Sequence, residues 1–417
     1  MSESRWIAFV APPFGGHLFP QLELAERIRE CVDAEVCFFS TPEAAAAVEL
    51  AGFEFAAVIS DQGPKVIEIS DTPTQVGSNP FRLLSQFRSN LGLMGQLREE
   101  LRLHWEQRRP DMVIVDFTVP IAGLLAKEMD VRWWTSMPTP CAMETADGTP
   151  TYLGGWMPAT SKFGSLRDAA GRQLIRGFKC GVHRMFRKQL ASIGVASIYR
   201  EDGTEAIYSD EKVLALGLRE FEFDRTWPSP VEFVGPLTRS PAFEHDSPVF
   251  ESGKRHVLVS LGTHLWWAKG TARKLIHAVA EEMPEFVFHF SDGRHRDEAT
   301  GAYPLLESNF HRYKYLPYDR YMAQYDAAIH HGGTGVLYSC LQHAVPALVW
   351  PQDYDQFDHA ARLVHHGLGK RMRPTVDGIV ADMRELVDGA VCREPLERFR
   401  LLANSNAALK SILQDLC

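Results

Sequence analysis

The sequence predicts an α/β protein built as two doubly wound halves. Three observations predict it. Short apolar runs alternate with helix-patterned stretches, each half carries a Gly-rich strand-to-helix turn, and the alternation lapses once near the middle in a proline-bearing stretch. The 417 residues suit two or three domains. A composition of 45% hydrophobic and 23% charged residues is ordinary for a chain that buries real cores.

Trp6–Ala11 is a short apolar run, as a buried parallel strand should be. Pro12–Gly16 breaks it, and Leu18, Leu22, Ala25 and Ile28 then follow at helical spacing. Glu35–Phe39 and Phe53–Val58 read as strands. Met112–Val115 follows a charged, helical stretch and ends at Asp116; Val131–Thr135 and Val213–Leu216 complete the first sheet. Residues 236–253 hold Pro236, Pro241 and Pro248 without a clear period and read as a linker after a first domain of residues 1–235. The pattern restarts in residues 254–394. His256–Leu261 is a strand, Thr271–Met283 a helix, Phe286–Phe290 and Ala327–His330 strands, His331–Gly335 a turn, Val336–His343 a helix, Ala347–Trp350 a strand and Phe357–His366 a helix. In residues 395–417, Pro395–Leu416 reads as a helix that can cross back onto the first half. Pro138–Lys162 is irregular and carries Met137, Met143, Tyr152, Trp156 and Met157 on or beside it; it suits either the edge of an apolar pocket or a covering loop on the core.

A formal charge of -9 argues against a nucleic-acid binder. Seven scattered Cys without a CxxC pair fit reduced thiols. No secretory signal opens the chain, and the most apolar stretch, Met112–Ala126, is short and interrupted by Asp116. These features place the protein in the cytoplasm with no transmembrane segment, and leave peripheral membrane contact and the oligomeric state open.

The strongest motif lies in residues 315–362. A strand delivers His330 and His331 to Gly332, Gly333, Thr334 and Gly335. Glycines let the backbone approach a ligand, and the next helix turns its unpaired N–H groups and positive dipole end toward that point. Such a turn alone is weak, since a tight turn without ligand reads the same way. HHGGTG followed by AVP and PQDYDQ, however, resembles the donor segment of the family 1 glycosyltransferases, whose two Rossmann-like domains face each other across a cleft in the GT-B fold. That resemblance implies a nucleotide-diphospho-sugar co-substrate. Tyr315 would stack on the base, backbone groups at Leu316–Tyr318 would read its edge, His331 would meet the diphosphate, and Asp355 and Gln356 would bind sugar hydroxyls. Gly262 and Thr263, ending the strand Val259–Leu261, would lie beside the diphosphate. Two departures stand out. Ser339 replaces a ribose-binding Glu, which tilts the donor from UDP toward dTDP because an unpaired buried carboxylate is costly. His359 stands where plant members carry Asn.

In the first half, His17 closes the Gly15–Gly16–His17 loop at a strand end, where α/β sheets bind ligands. His is the natural base near neutral pH. A lone His is more often a packing or capping residue; the resemblance assigns this one as the general base. Asp116 is its orienter, since a carboxylate on the second ring nitrogen fixes the tautomer. A helix N-cap is the other reading of Asp116, and Asp111 starts the same strand on the wrong edge. The resulting expectation is a metal-independent, cofactor-free, inverting transfer to a hydroxyl of a small apolar or aromatic acceptor. The competing expectations are a GT-B sugar-nucleotide epimerase and a non-catalytic auxiliary partner. A dinucleotide oxidoreductase would want GxGxxG with an acidic residue about 20 residues on, and neither Gly-rich turn supplies it.

Overall fold

A computed structural model describes residues 4–77, 79–240, 245, 247–293, 303–389, 393–405 and 407–416. The chain divides into two compact units. The first takes Met1–Ser70, Ser78–Leu237 and Asn406–Cys417; the second takes Asp71–Gly77 and Thr238–Ser405.

The first unit runs β1 (Arg5–Val10), α1 (Gly15–Cys31), β2 (Ala34–Ser40), α2 (Ala45–Leu50), β3 (Glu54–Ala57), α3 (Gly63–Ser70), α4 (Pro80–Gln107), β4 (Met112–Asp116), α5 (Pro120–Glu128), β5 (Arg132–Met137), α6 (Lys162–Met185), α7 (Arg187–Ser192), β6 (Val213–Ala215) and β7 (Val231–Phe233). Its sheet has the order β3-β2-β1-β4-β5-β6-β7 and is parallel throughout. The strands are apolar on both faces because helices cover both. Ile7, Phe9, Ile114 and Trp134 pack into one core with α1, while Ala8, Val10, Val113 and Val115 pack into the other with α4 and α5.

The second unit runs β8 (Arg255–Ser260), α8 (Trp266–Glu282), β9 (Phe286–Ser291), β10 (Leu305–Glu307), β11 (Phe310–Tyr313), α9 (Tyr318–Tyr321), β12 (Ala327–His330), α10 (Thr334–Gln342), β13 (Ala347–Val349), α11 (Gln356–His365), β14 (Gly369–Arg371), α12 (Val376–Asp388) and α13 (Arg393–Ala403). Its order is β10-β11-β9-β8-β12-β13-β14, parallel except for the β10–β11 hairpin. In both sheets the winding reverses beside the first strand, between β1 and β4 and between β8 and β12. Crevices at the carboxyl ends of such switch points are where α/β sheets take ligands.

Several boundaries differ from the sequence reading. The division between the two units falls at Leu237, just after the expected domain end at residue 235, and Thr238 begins the second unit. Pro395–Leu416 is two helices. α13 packs on α10, and only α14 (Ala407–Leu413) joins the first unit, burying Leu409, Ile412 and Leu413 against the core of β1 and α1. α8 begins at Trp266, five residues before the expected start, and α10 begins at Thr334. Gly335 therefore sits in the first helical turn and not in the preceding loop.

Candidate functional site

In the first unit, β1 ends in a loop whose last residues, Gly15 and Gly16, already belong to α1, so His17 lies in the first helical turn. β4 is the neighbour of β1 and ends at Asp116. The adjacency of the two strands brings the side chains together. His17 Nδ1 lies 3.1 Å from each oxygen of the fully buried Asp116 carboxylate. Asp116 Oδ1 also accepts the N–H of Thr118 at 2.9 Å and its hydroxyl. The carboxylate thus turns the chain before α5 and holds the imidazole at once. A carboxylate only accepts, so Nδ1 carries the proton, and the neutral ring presents Nε2 as a basic lone pair. Phe117 stacks on the His17 ring at 5.6 Å, and Phe14 meets its edge at 6.1 Å. Asp111, the alternative partner, instead accepts the Trp6 N–H at 2.7 Å at the other end of the sheet.

The irregular stretch after β5 is pinned and not loose. Buried Arg225, paired with Glu222 at 3.0 Å, donates to the carbonyls of Pro140, Cys141 and Met143. Met137 and Met143 are buried with Tyr208 and Val213, whereas Tyr152 and Met157 are exposed.

In the second unit, β8 and β12 deliver two loops side by side. Gly332 adopts φ 98°, a conformation suited to glycine, and a Cβ there would lie 3.0 Å from the Gln356 carbonyl oxygen. Its peptide groups are clasped. The N–H donates to His330 Nδ1 at 3.0 Å, and the carbonyl accepts from His359 Nδ1 at 2.8 Å. His359 therefore shapes the glycine turn. The His331 ring is wedged between Gly262 and Gly333: a Cβ on Gly333 would lie 2.4 Å from its Nε2, and one on Gly262 2.9 Å from its Cε1. His331 Nδ1 and backbone N–H both point to the Ser260 carbonyl, at 3.4 and 3.3 Å. Desolvation lowers His331 to about 4, against a weaker opposing effect of the Ser260 carbonyl. Burial likewise takes His330 down to about 3. α10 has no side-chain N-cap, and nothing lies within 4 Å of where a Gly335 Cβ would stand. The first N–H groups of a helix have no intrahelical acceptor, so Thr334 and Gly335 offer an anion cradle.

The other expected donor residues divide. Tyr315 lies beside Tyr318 at 6.4 Å and hydrogen-bonds Ser240. The Leu316 N–H donates to Ser291 Oγ at 3.2 Å and so is already committed within the protein. Thr263 follows Gly262 on the β8 loop, half-buried. Asp355 precedes the first residue of α11 and makes no side-chain cap. Gln356 Oε1 accepts the N–H groups of Gln352 and Asp353, at 2.8 and 3.0 Å, and so commits its carbonyl to its own loop while its amide N–H₂ is a donor.

Sequence reasoning missed three residues here. Lys269 is buried and donates to the Gly262 and Asp292 carbonyls at 2.8 and 2.7 Å, fixing the loop beside His331. In sequence it is one of two Lys on a helix. Asp353 is fully buried and accepts the N–H groups of Val76, Gly77 and Tyr354 at 2.5, 2.7 and 2.9 Å. Gln75 adds a bond to the Gln352 carbonyl at 2.7 Å. No local signal announces a pairing across 277 residues. His330 was read as strand, but its ring nitrogen orders the glycine turn.

Residues 273–411 match the family of erythromycin biosynthesis protein CIII-like C-terminal domains. Over 428 aligned positions the chain is 22% identical to a zeaxanthin glucosyltransferase of Pantoea ananas, covering 98% of this chain and 96% of that one. Its fold is shared with the crystal structure of the glycosyltransferase of kitacinnamycin, at TM-score 0.74 and 23% identity over 99% and 98% of the two chains. It is also shared with a glycosyltransferase of Streptomyces sp. SF2575 solved with thymidine diphosphate, at TM-score 0.63 and 17% identity over 99% of each.

Proposed function

We propose that this chain is a family 1 glycosyltransferase of the natural-product-tailoring type that carries out an inverting transfer from a dTDP- or UDP-sugar to a hydroxyl of a small apolar or aromatic acceptor. The observation that carries this reading is the grip of Asp116 on His17 Nδ1 through both carboxylate oxygens. Nε2 removes the acceptor proton as its oxygen attacks the anomeric carbon, and Asp116 stabilises the imidazolium that forms. The nucleoside diphosphate leaves from the opposite face, so one displacement inverts the configuration. Its growing negative charge is met by the N-terminus of α10, His331 and the Gly262–Thr263 loop, a preorganised arrangement of the kind that contributes heavily to catalysis.

Residues Tyr315 and Leu316 would hold the base, and Asp355 and Gln356 the sugar. Ser339 favours dTDP: it is buried on α10, and its hydroxyl has no protein partner among the described residues. A hydroxyl suits a deoxyribose better than a carboxylate would. The thymidine diphosphate found in a protein of the same fold supports the same choice. The chemistry uses acid–base groups and backbone dipoles of this chain and asks for no metal or resident cofactor.

Thermal unfolding in the presence of dTDP and of UDP tests the donor side. Stabilisation grows with ligand concentration over Kd, and a larger shift with dTDP is expected. The two other enzyme-side readings separate by product. A transferase releases nucleoside diphosphate only with acceptor present, an epimerase converts the sugar nucleotide without it, and an auxiliary protein does neither.

A further inference from the structure

Among the described residues, half of the exposed large apolar side chains fall between positions 152 and 185. Five of them lie on α6: Phe163 is 86% exposed, Leu166 68%, Leu174 66%, Met185 59% and Phe178 39%. At 3.6 residues per turn they share about 120° of the helix surface, with Ala170, Gly177 and Gly181 along its centre, the exposed Arg167 inside it and Arg184 at its edge. The opposite face of α6 is the one tied to the protein. Arg172 donates to the Gly148 carbonyl, Arg176 to the Gly203 carbonyl, and Lys179 pairs with Glu144 and Glu205. The apolar stripe is therefore the outward side of a firmly held helix.

Charge identifies what fits it. Residues 162–192 contain eight Arg and Lys against the single Asp168, in a chain of net charge -9. Arg167 is neutralised by the buried Asp168, and Lys179 by Glu144 and Glu205, which leaves six cations to set the surface charge of this segment. Lys162, Arg184, Arg187 and Lys188 are exposed along the stripe and just beyond its end. An apolar stripe flanked by cations is the pattern of a helix that lies in a membrane interface, its apolar side chains in the acyl boundary and its cations among anionic headgroups. The same charge disfavours a second copy of the chain on a symmetric interface, because the two basic faces would meet each other. No helix of the described residues is long and apolar enough to cross a membrane, so such contact would be peripheral.

We infer that α6 is a docking face for anionic membrane surfaces. The inference does not rest on the donor or acceptor assignment, and its test reads binding and not turnover. The full chain is floated with vesicles of phosphatidylcholine alone and of phosphatidylcholine with about 30% phosphatidylglycerol, at low and high salt. Expected is co-flotation with the anionic vesicles that falls as salt rises. The double variant Phe163→Ser with Leu174→Ser and the double variant Lys162→Glu with Arg184→Glu should each lower it by about tenfold or more. Both alter exposed positions, and unchanged melting curves would show that the fold is intact. Failure of the wild-type chain to float with anionic vesicles, or equal flotation with neutral ones, overturns the inference. So does a dimer in sedimentation velocity that the Phe163→Ser, Leu174→Ser variant dissolves.

Discussion

Replacing Asp116 with Asn perturbs the proposed base without changing its size. Both carboxylate oxygens stand 3.1 Å from His17 Nδ1. With charge centres about 4 Å apart and an effective dielectric near 20, a carboxylate and an imidazolium attract by about 4 kcal/mol. The His17 side chain is 25% exposed, and screening reduces this to about 2–3 kcal/mol. The imidazolium exists only once the acceptor proton has moved, so the loss falls on kcat. At about 1.4 kcal/mol per factor of ten it amounts to roughly 30–140-fold. An amide N–H₂ facing Nδ1 adds a second penalty, since Nδ1 must then accept and the proton moves to Nε2, where it blocks the base. Together these predict a loss of about 10²–10⁴-fold. The assay is release of nucleoside diphosphate at saturating donor with an aliphatic alcohol or a phenol as acceptor. The deficit should shrink for the phenol as pH approaches about 10, where it ionises unaided, and should persist for the alcohol. Nucleotide affinity should hold, and so should the melting temperature, because the Asn carbonyl can still accept the Thr118 N–H. Turnover within a few-fold of wild type, or a phenol deficit independent of pH, would refute the reasoning.

Three further outcomes are expected. Gly333→Ala should weaken dTDP binding by about tenfold or more, since its Cβ would displace the His331 ring from its place beside the α10 N-terminus; calorimetric titration reads it, and an unchanged Kd counts against the anion site. His331, held near 4 in the free protein by burial, should take up a proton as a diphosphate approaches. Affinity would then tighten as pH falls from 8 towards 5, with heats that depend on buffer ionisation, whereas His331→Gln should flatten this slope. His289 is buried against His311 and His256 and lowered to about 3, mainly by desolvation. Its folded value lies below the unfolded one, so its stabilising contribution is complete above about pH 6.5 and is lost on acidification through the window down to about 3. In urea unfolding the stability lost between pH 7.5 and pH 5 should be about 2 kcal/mol larger for the wild type than for His289→Asn, and equal losses would contradict the assignment.

Much of this was legible in the sequence because of where the apolar runs stop. β1, β4, β8 and β12 are buried on both faces, so they stand out as unbroken apolar segments, and the first polar residues after them are the ones that reach the switch points. Asp116 was found by that logic, and the structure places it against His17. The edge strands β7, β10 and β14, and β11 beside β10, were not found. Each is three or four residues long, too short to show a period. The early start of α8 was hidden because Leu265 enters the helix from a left-handed conformation with no capping side chain to mark it. Lys269 and Asp353 were hidden for another reason. Each acts on backbone groups of remote segments, and backbone partners leave no trace in residue identity.

The excursion of residues 71–77 has a practical consequence for exchanging carboxy-terminal halves between proteins of this fold. A cut at Leu237 looks clean along the chain, yet a fragment starting at Thr238 would strip Asp353 of the Val76 and Gly77 N–H groups and leave a buried carboxylate short of two donors. A working chimera would have to transplant Asp71–Gly77 together with the carboxy-terminal half, or replace Asp353 by a residue that does not need them.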